Sequence, residues 1–173
     1  MKKTMEPAHL KDLISLFRVL DGLQERLLIL IREKLQAMRS SDMALLQSLS
    51  LREQKLIESI QEREGLRQQI MDCIGRELGL AARAGRTMTV SQLSTYLPER
   101  SALLLENAAS ELRTVVAKVA QANRVAGATS REIVNHLSWV FASVRATHDS
   151  PVCYSGDGGA VGAVGARLLD AVG

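Results

Sequence analysis

Thirteen positions in the second half of the chain constrain its fold more than any other feature. Ala102, Leu105, Ala109, Leu112, Val116, Val119, Asn123, Ala126, Ser130, Ile133, Leu137, Val140 and Val144 follow one another in alternating steps of three and four over six heptads. A repeat of 3.5 keeps one stripe of an α-helix turned toward a partner helix, the packing of a left-handed coiled coil. The spacing therefore predicts a helix from Glu99 to about Ala146, about 70 Å long at 1.5 Å per residue. Asn123 and Ser130 interrupt the seam, and polar residues at such positions set register or meet polar partners across a bundle.

The partner helices lie upstream, and Pro7, Pro98 and Pro151 mark the edges of the periodic regions. From Pro7 to about Arg39, Leu10, Leu13, Phe17, Leu20, Leu27, Ile31 and Met38 recur with helical spacing. Within it the run "LLILI", Leu27 to Ile31, is apolar around the whole helix, which means burial on more than one side or a surface awaiting a partner. "SSD" at Ser40 to Asp42 supplies a turn and an N-cap. A second helix then carries Leu46, Leu49, Leu56, Ile60, Ile70 and Ile74, interrupted by Glu53, Arg63 and Arg67. "GLAARAGRTMT" ends it, and "TVSQLSTYL" reads as a short helix opened by Thr89 with Gln92 in capping-box register. Half of the 12 glycines stand at or after Gly156. The expected fold is all-α, an elongated antiparallel helical bundle or coiled coil of three long helices plus a short one, with a flexible Gly-rich C-terminal tail. Its expected divisions are a bundle over 1–146 and a tail over 147–173.

Several function classes are disfavoured by what the sequence lacks. Its 22 basic and 19 acidic side chains are finely interleaved for a net charge of +3, so they read as solvated helix faces and no nucleic-acid partner is expected. Cys73 and Cys153 form no disulfide or metal spacing, and Cys73, between Ile70 and Ile74, is expected to be a buried thiol. His9, His136 and His148 are too scattered for a local ligand cluster, so neither metal nor cofactor is expected. "GDGGAVGAVG" departs from GxGxxG because Val161 holds a position that needs glycine, and no strand precedes it. "HDS" at His148 to Ser150 holds the letters of a hydrolase triad, but triads are assembled in space by a scaffold. With no convergent nucleophile, base or metal set, the chain is not read as an enzyme. No apolar run approaches the about 20 residues of a membrane span, and no signal segment opens the chain, so a cytoplasmic protein without direct membrane insertion is expected.

Three stretches carry a family likeness: "REQKLIESIQEREGLR" from Arg52 to Arg67, "AQANRVAGATSREIVNHLSWV" with Asn123, and "PVCYSGDG" from Pro151 to Gly158. With the long aliphatic, aromatic-poor helices, they make the chain resemble the FlgN-type flagellar export chaperones. Where family members often show a second asparagine, this chain has Ala126 and Gly127. The resemblance implies a chaperone that binds the C-terminal helical segments of hook-filament junction proteins. It would prevent their premature assembly and deliver them to the export gate, a membrane protein, with the export ATPase as a further candidate partner. It also implies that Tyr154, with Pro151 and Gly158, docks on the gate. Expected cargo contacts are Asn123, matching the family's asparagine, and Leu137, Val140 and Val144 of the seam with Phe141 of the same helix, and Trp139 as an aromatic anchor. The alternative is a structural coiled-coil or homo-oligomeric interaction protein whose seams close within itself or on a copy.

Overall fold

The computed structural model of the chain describes residues 7–81 and 84–148. Among them every regular element is a helix: α1 Leu10–Arg39, α2 Met43–Glu77, α3 Ala84–Thr87, α4 Val90–Ser94 and α5 Glu99–His148. The described residues fall into two compact units, the first through Glu132 and the second from Ile133. The Gly-rich tail expected from the sequence lies outside the described residues.

α1 and α2 form an antiparallel pair because the connection between them is three residues long. Ser41 enters the left-handed region at φ 57°, its N–H donating to Met38 O at 3.3 Å and that of Asp42 to Ala37 O at 3.0 Å. These are the two bonds of a Schellman turn, which satisfy carbonyls left over at a helix end. Asp42 then caps α2, its Oδ1 accepting from Leu45 N–H at 2.9 Å. Across the pair, His9 meets Glu77, Lys34 meets Glu53 and Ala37 packs with Leu49, so partners run in opposite sequence order. A left-handed residue with a Cβ is strained relative to glycine. Ser41→Gly is therefore expected to stabilise the chain by about 0.5–1 kcal/mol, after the larger entropy that glycine gives the unfolded chain. Urea unfolding of the two forms checks it.

α2 ends in the same device with a more suitable residue. Gly79 sits at φ 73°, and the N–H groups of Gly79 and Leu80 donate to Arg76 O and Gly75 O at 3.0 and 2.9 Å. Glu77 at this end accepts from Ala8 N–H at 2.9 Å, placing a carboxylate where the first turn of α1 exposes its amides. α3 lies directly on α2, with the backbone of Gly85 against Gly75 and Met71. Thr89 opens α4 through a full capping box, Thr89 Oγ1 accepting from Gln92 N–H at 3.2 Å and Gln92 Oε1 from Thr89 N–H at 2.8 Å. The carbonyl of Pro98 receives Ala102 N–H at 2.9 Å to start α5.

α5 runs parallel to α1, giving an up-down-up bundle within the first unit. One core joins Leu13, Phe17 and Leu20 of α1, Met71 and Ile74 of α2, Leu93, Leu97, and Leu105, Ala108 and Ala109 of α5. A second joins Leu27, Leu28 and Ile31 of α1 to Val115 and Val119 of α5, and a third joins Leu30 and Ala37 to Leu49. "LLILI" is thus buried on two sides, with Ile29 alone left 53% exposed. The last polar contact between α1 and α5 is Ser130 Oγ to Met38 Sδ at 3.6 Å.

The buried side of α5 departs from the thirteen-residue reading beyond Leu112, where Val115 and Ala122 face inward in place of Val116 and Asn123. Ala102, Leu105, Ala109, Leu112, Val119 and Ala126 are shared, but Ala108, Val115 and Ala122 also face inward. Val116 is 42% exposed and Asn123 is exposed, so Asn123 does not set register inside the bundle. A doublet of adjacent small or aliphatic residues recurs at 108/109 and 115/116. The periodicity allows either member to face inward; both do at 108/109, and docking on α1 selects Val115 at 115/116.

Candidate functional site

The second unit, taken by itself, is a helical stretch whose apolar side chains are left in solvent. From Ile133 to Val144 there is no Asp, Glu, Lys or Arg. Val134 is 61%, Leu137 49%, Phe141 66% and Val144 51% exposed, and Ile133 is also exposed. Val140 is half-buried. At 3.6 residues per turn, Ile133, Leu137, Val140, Phe141 and Val144 share one face, because they stand three, four or seven apart. Exposed apolar residues scattered singly are ordinary, whereas a contiguous uncharged face of this length marks an interaction surface.

The structure brings four of the six expected cargo residues together and separates two. Leu137, Val140, Phe141 and Val144 form the face just described. Trp139 stands about 200° around the helix from Leu137, nearly opposite. It stacks on His136 with ring centroids 6.2 Å apart and planes at 26°. Asn123 belongs to the first unit, where it is exposed. Val134 lies on the same face as Leu137 and Phe141 and was absent from the sequence reading. It falls one step outside the three-four seam, and a signal for it exists only in the lack of charge around it. Pro151, Tyr154 and Gly158 lie outside the described residues.

The other family-like stretch, Arg52 to Arg67, is the middle of α2, where no residue is fully buried between Leu49 and Ile70. Its charges explain why they interrupt the apolar stripe. Glu53 pairs with Lys34 of α1, both side chains being mostly sequestered. Arg67 is held by both carboxylate oxygens of Glu64 at 2.7–3.0 Å, and that hydrogen bond raises the guanidinium pKa further despite partial burial. Beside this stretch Leu23, Ile29, Leu30 and Leu56 floor a groove edged by Arg26, Arg52 and Lys55.

Cys73 is half-buried, not buried as expected, and its Sγ lies 3.2 Å from the Arg76 guanidinium that donates to it. The reason is its place at the end of α2, where Ile70, Met71 and Ile74 occupy the inward positions. Among the described residues no three His, Cys, Asp or Glu side chains are grouped to hold a metal ion. No helix among them is long and apolar enough to cross a membrane.

What the uncharged stretch of α5 presents to solvent is apolar surface. Residues 1–162 match the sequence pattern of the family described as FlgN protein. No curated protein and no solved structure matches the chain.

Proposed function

This chain belongs to the FlgN family and so to the flagellar export chaperones, and from that premise we propose that its cargo is the C-terminal helical segment of the hook-filament junction proteins. The observation that carries the reading is the uncharged face of α5, with Leu137 and Phe141 in solvent. An amphipathic helix of the cargo packs its apolar side on that face, withdrawing both surfaces from water and keeping the cargo from assembling before export. The contacts are Leu137, Val140, Phe141 and Val144, with Val134 beside them. Asn123 and Trp139 contribute only where the cargo wraps around more of α5.

Delivery follows from the tail. Pro151, Tyr154 and Gly158 match the family's docking motif, and Tyr154 supplies an aromatic grip on the export gate. The export ATPase is a second station on the same route, and the complex forms in the cytoplasm. Isothermal titration of the purified chain against the C-terminal segments of the junction proteins tests the cargo assignment. Saturable binding to at least one is expected. No binding to any, together with a tight homodimer that covers the α5 face, would instead establish a self-associating coiled coil.

A separation of functions is expected in the tail. Tyr154→Ala should lower affinity for the purified gate domain about tenfold or more, the effect of losing a buried aromatic contact of at least 1.4 kcal/mol. Its affinity for cargo should stay within a factor of about two. Parallel titrations of both partners read this directly, and equal loss of the two would place Tyr154 in the cargo site.

A further inference from the structure

Charges that alternate along the sequence are sorted in space on the first unit. We propose that the groove between α1 and α2 is a docking site separate from the α5 face, and that its occupant is an amphipathic helix of a partner protein whose apolar ridge is flanked by carboxylates. Nothing in this site depends on which cargo the α5 face takes.

The floor of the groove is apolar and part of it is open. Leu30 and Leu56 belong to the third core, Leu23 is half-buried, and Ile29, the one residue of "LLILI" that the bundle leaves over, is 53% exposed. The groove has a volume of about 480 Å³. Along α1 it runs from Leu23 to Leu30, about 10 Å or two helical turns. The Ser59 hydroxyl on its wall already donates to Lys55 O at 3.1 Å, so the interior calls for apolar contact. A concave strip of that length takes the side-chain ridge of one helix, whereas a flat bilayer would leave its floor uncovered.

The rim determines the sign of the partner. Arg26, Arg52 and Lys55 line the groove, and no Asp or Glu does. Arg52 and Lys55 stand three apart on α2, the spacing at which like charges repel. Neighbouring carboxylates do not relieve them: Glu53 pairs with Lys34, and Glu33 approaches Arg52 only to 3.9 Å with both side chains exposed. Among the described residues neither Arg26 nor Lys55 has an ion-pair partner. Cations on the edge of an apolar trough attract an anionic partner from solution and reject a basic one. Two other grooves of the first unit fit such a helix less well. Between α1 and α5, Arg32 and Lys118 flank a Leu28 that is already buried, and in the groove at Phe17 the Arg67 guanidinium is already held by Glu64.

The test uses two synthetic helical peptides of about 20 residues, identical in a leucine stripe and flanked by glutamate in one and by lysine in the other. Fluorescence polarisation with the full chain should show saturable binding of the glutamate peptide and at least about tenfold weaker binding of the lysine peptide. Arg26→Glu/Lys55→Glu should invert that preference, an outcome that a folding defect cannot produce. Ile29→Asp should weaken the glutamate peptide about tenfold or more, because the floor then carries a carboxylate. The charge-reversed chain should keep its affinity for the junction-protein segments within a factor of about two; a parallel loss would make the groove part of the cargo site and overturn its separateness. No binding of the glutamate peptide, or equal binding of the two peptides, overturns the proposal. Binding of phosphatidylglycerol vesicles that disappears in Arg26→Glu/Lys55→Glu overturns it too, because the cations then face a membrane surface.

Discussion

Replacing Leu137 and Phe141 together with aspartate is expected to weaken cargo binding at least a hundredfold while leaving the bundle folded. Burying a Leu or Phe side chain contributes about 1.5–3 kcal/mol each, and every 1.4 kcal/mol is a factor of about ten. The substitution also places two carboxylates where the occupant is apolar, which adds the cost of burying them unpaired. Because the two side chains are 49% and 66% exposed in the free chain, folding stability should change by less than about 1 kcal/mol. Titration calorimetry against the junction-protein segments, with circular dichroism as the control, gives both quantities. Undiminished affinity in a folded variant would remove this face from the cargo site.

Gly85→Ala is expected to cost about 2–4 kcal/mol of stability, the range of disruptive changes at tightly packed backbone. A Cβ there would stand 2.2 Å from Met71 O and 2.9 Å from Met71 C, both backbone atoms of α2 that no rotamer change can move. α3 must back away, and the Asp72–Arg86 ion pair beside it loosens with it. For a chain of this size the melting temperature should fall by roughly 5–15 °C. Gly75→Ala meets Gly85 Cα at 2.9 Å and should behave similarly. Gly22→Ala, with open space around its Cβ, is the matched control and should be neutral or slightly stabilising. A Gly85→Ala melt equal to that of the parent would mean that α3 is not held on α2 as described.

The two local predictions with the strongest chemical signatures, the Asp42 cap and the Thr89/Gln92 capping box, correspond to hydrogen bonds in the structure. Both depend on residues three positions apart, so the sequence contains all of their geometry. The helices they open were legible for the same reason, as were the ends of α1 and the start of α5. α3 was not legible, because "GLAARAGRTMT" reads as a helix terminator and only the close approach of Gly85 to α2 shows why a turn of helix settles there. The seam was half legible. Leu105, Leu112 and Val119 face inward in either register, but choosing Val115 over Val116 depends on how α5 lies against α1. Along the proposed site, Leu137, Val140 and Val144 are legible from period and Phe141 from its place beside them, whereas Trp139 stands out by its chemistry and turns the other way.

The bundle joins helices of unequal bulk. Leu13, Phe17 and Leu20 on α1 share a core with Ala108 and Ala109 of α5, and Leu27, Leu28 and Ile31 one that Ala122 of α5 borders, while α2 from Ser50 to Gln69 buries nothing completely. Enlarging a buried alanine forces helices apart, whereas a surface position accepts most side chains. Accumulated substitutions should therefore be distributed unevenly across relatives of this chain. They should be dense along the middle of α2 and nearly absent at the small residues of α5, and divergence there would accompany compensating shrinkage of the α1 leucines. Such a chain can alter much of its outer character over evolutionary time while its helix spacing stays fixed by a few methyl groups.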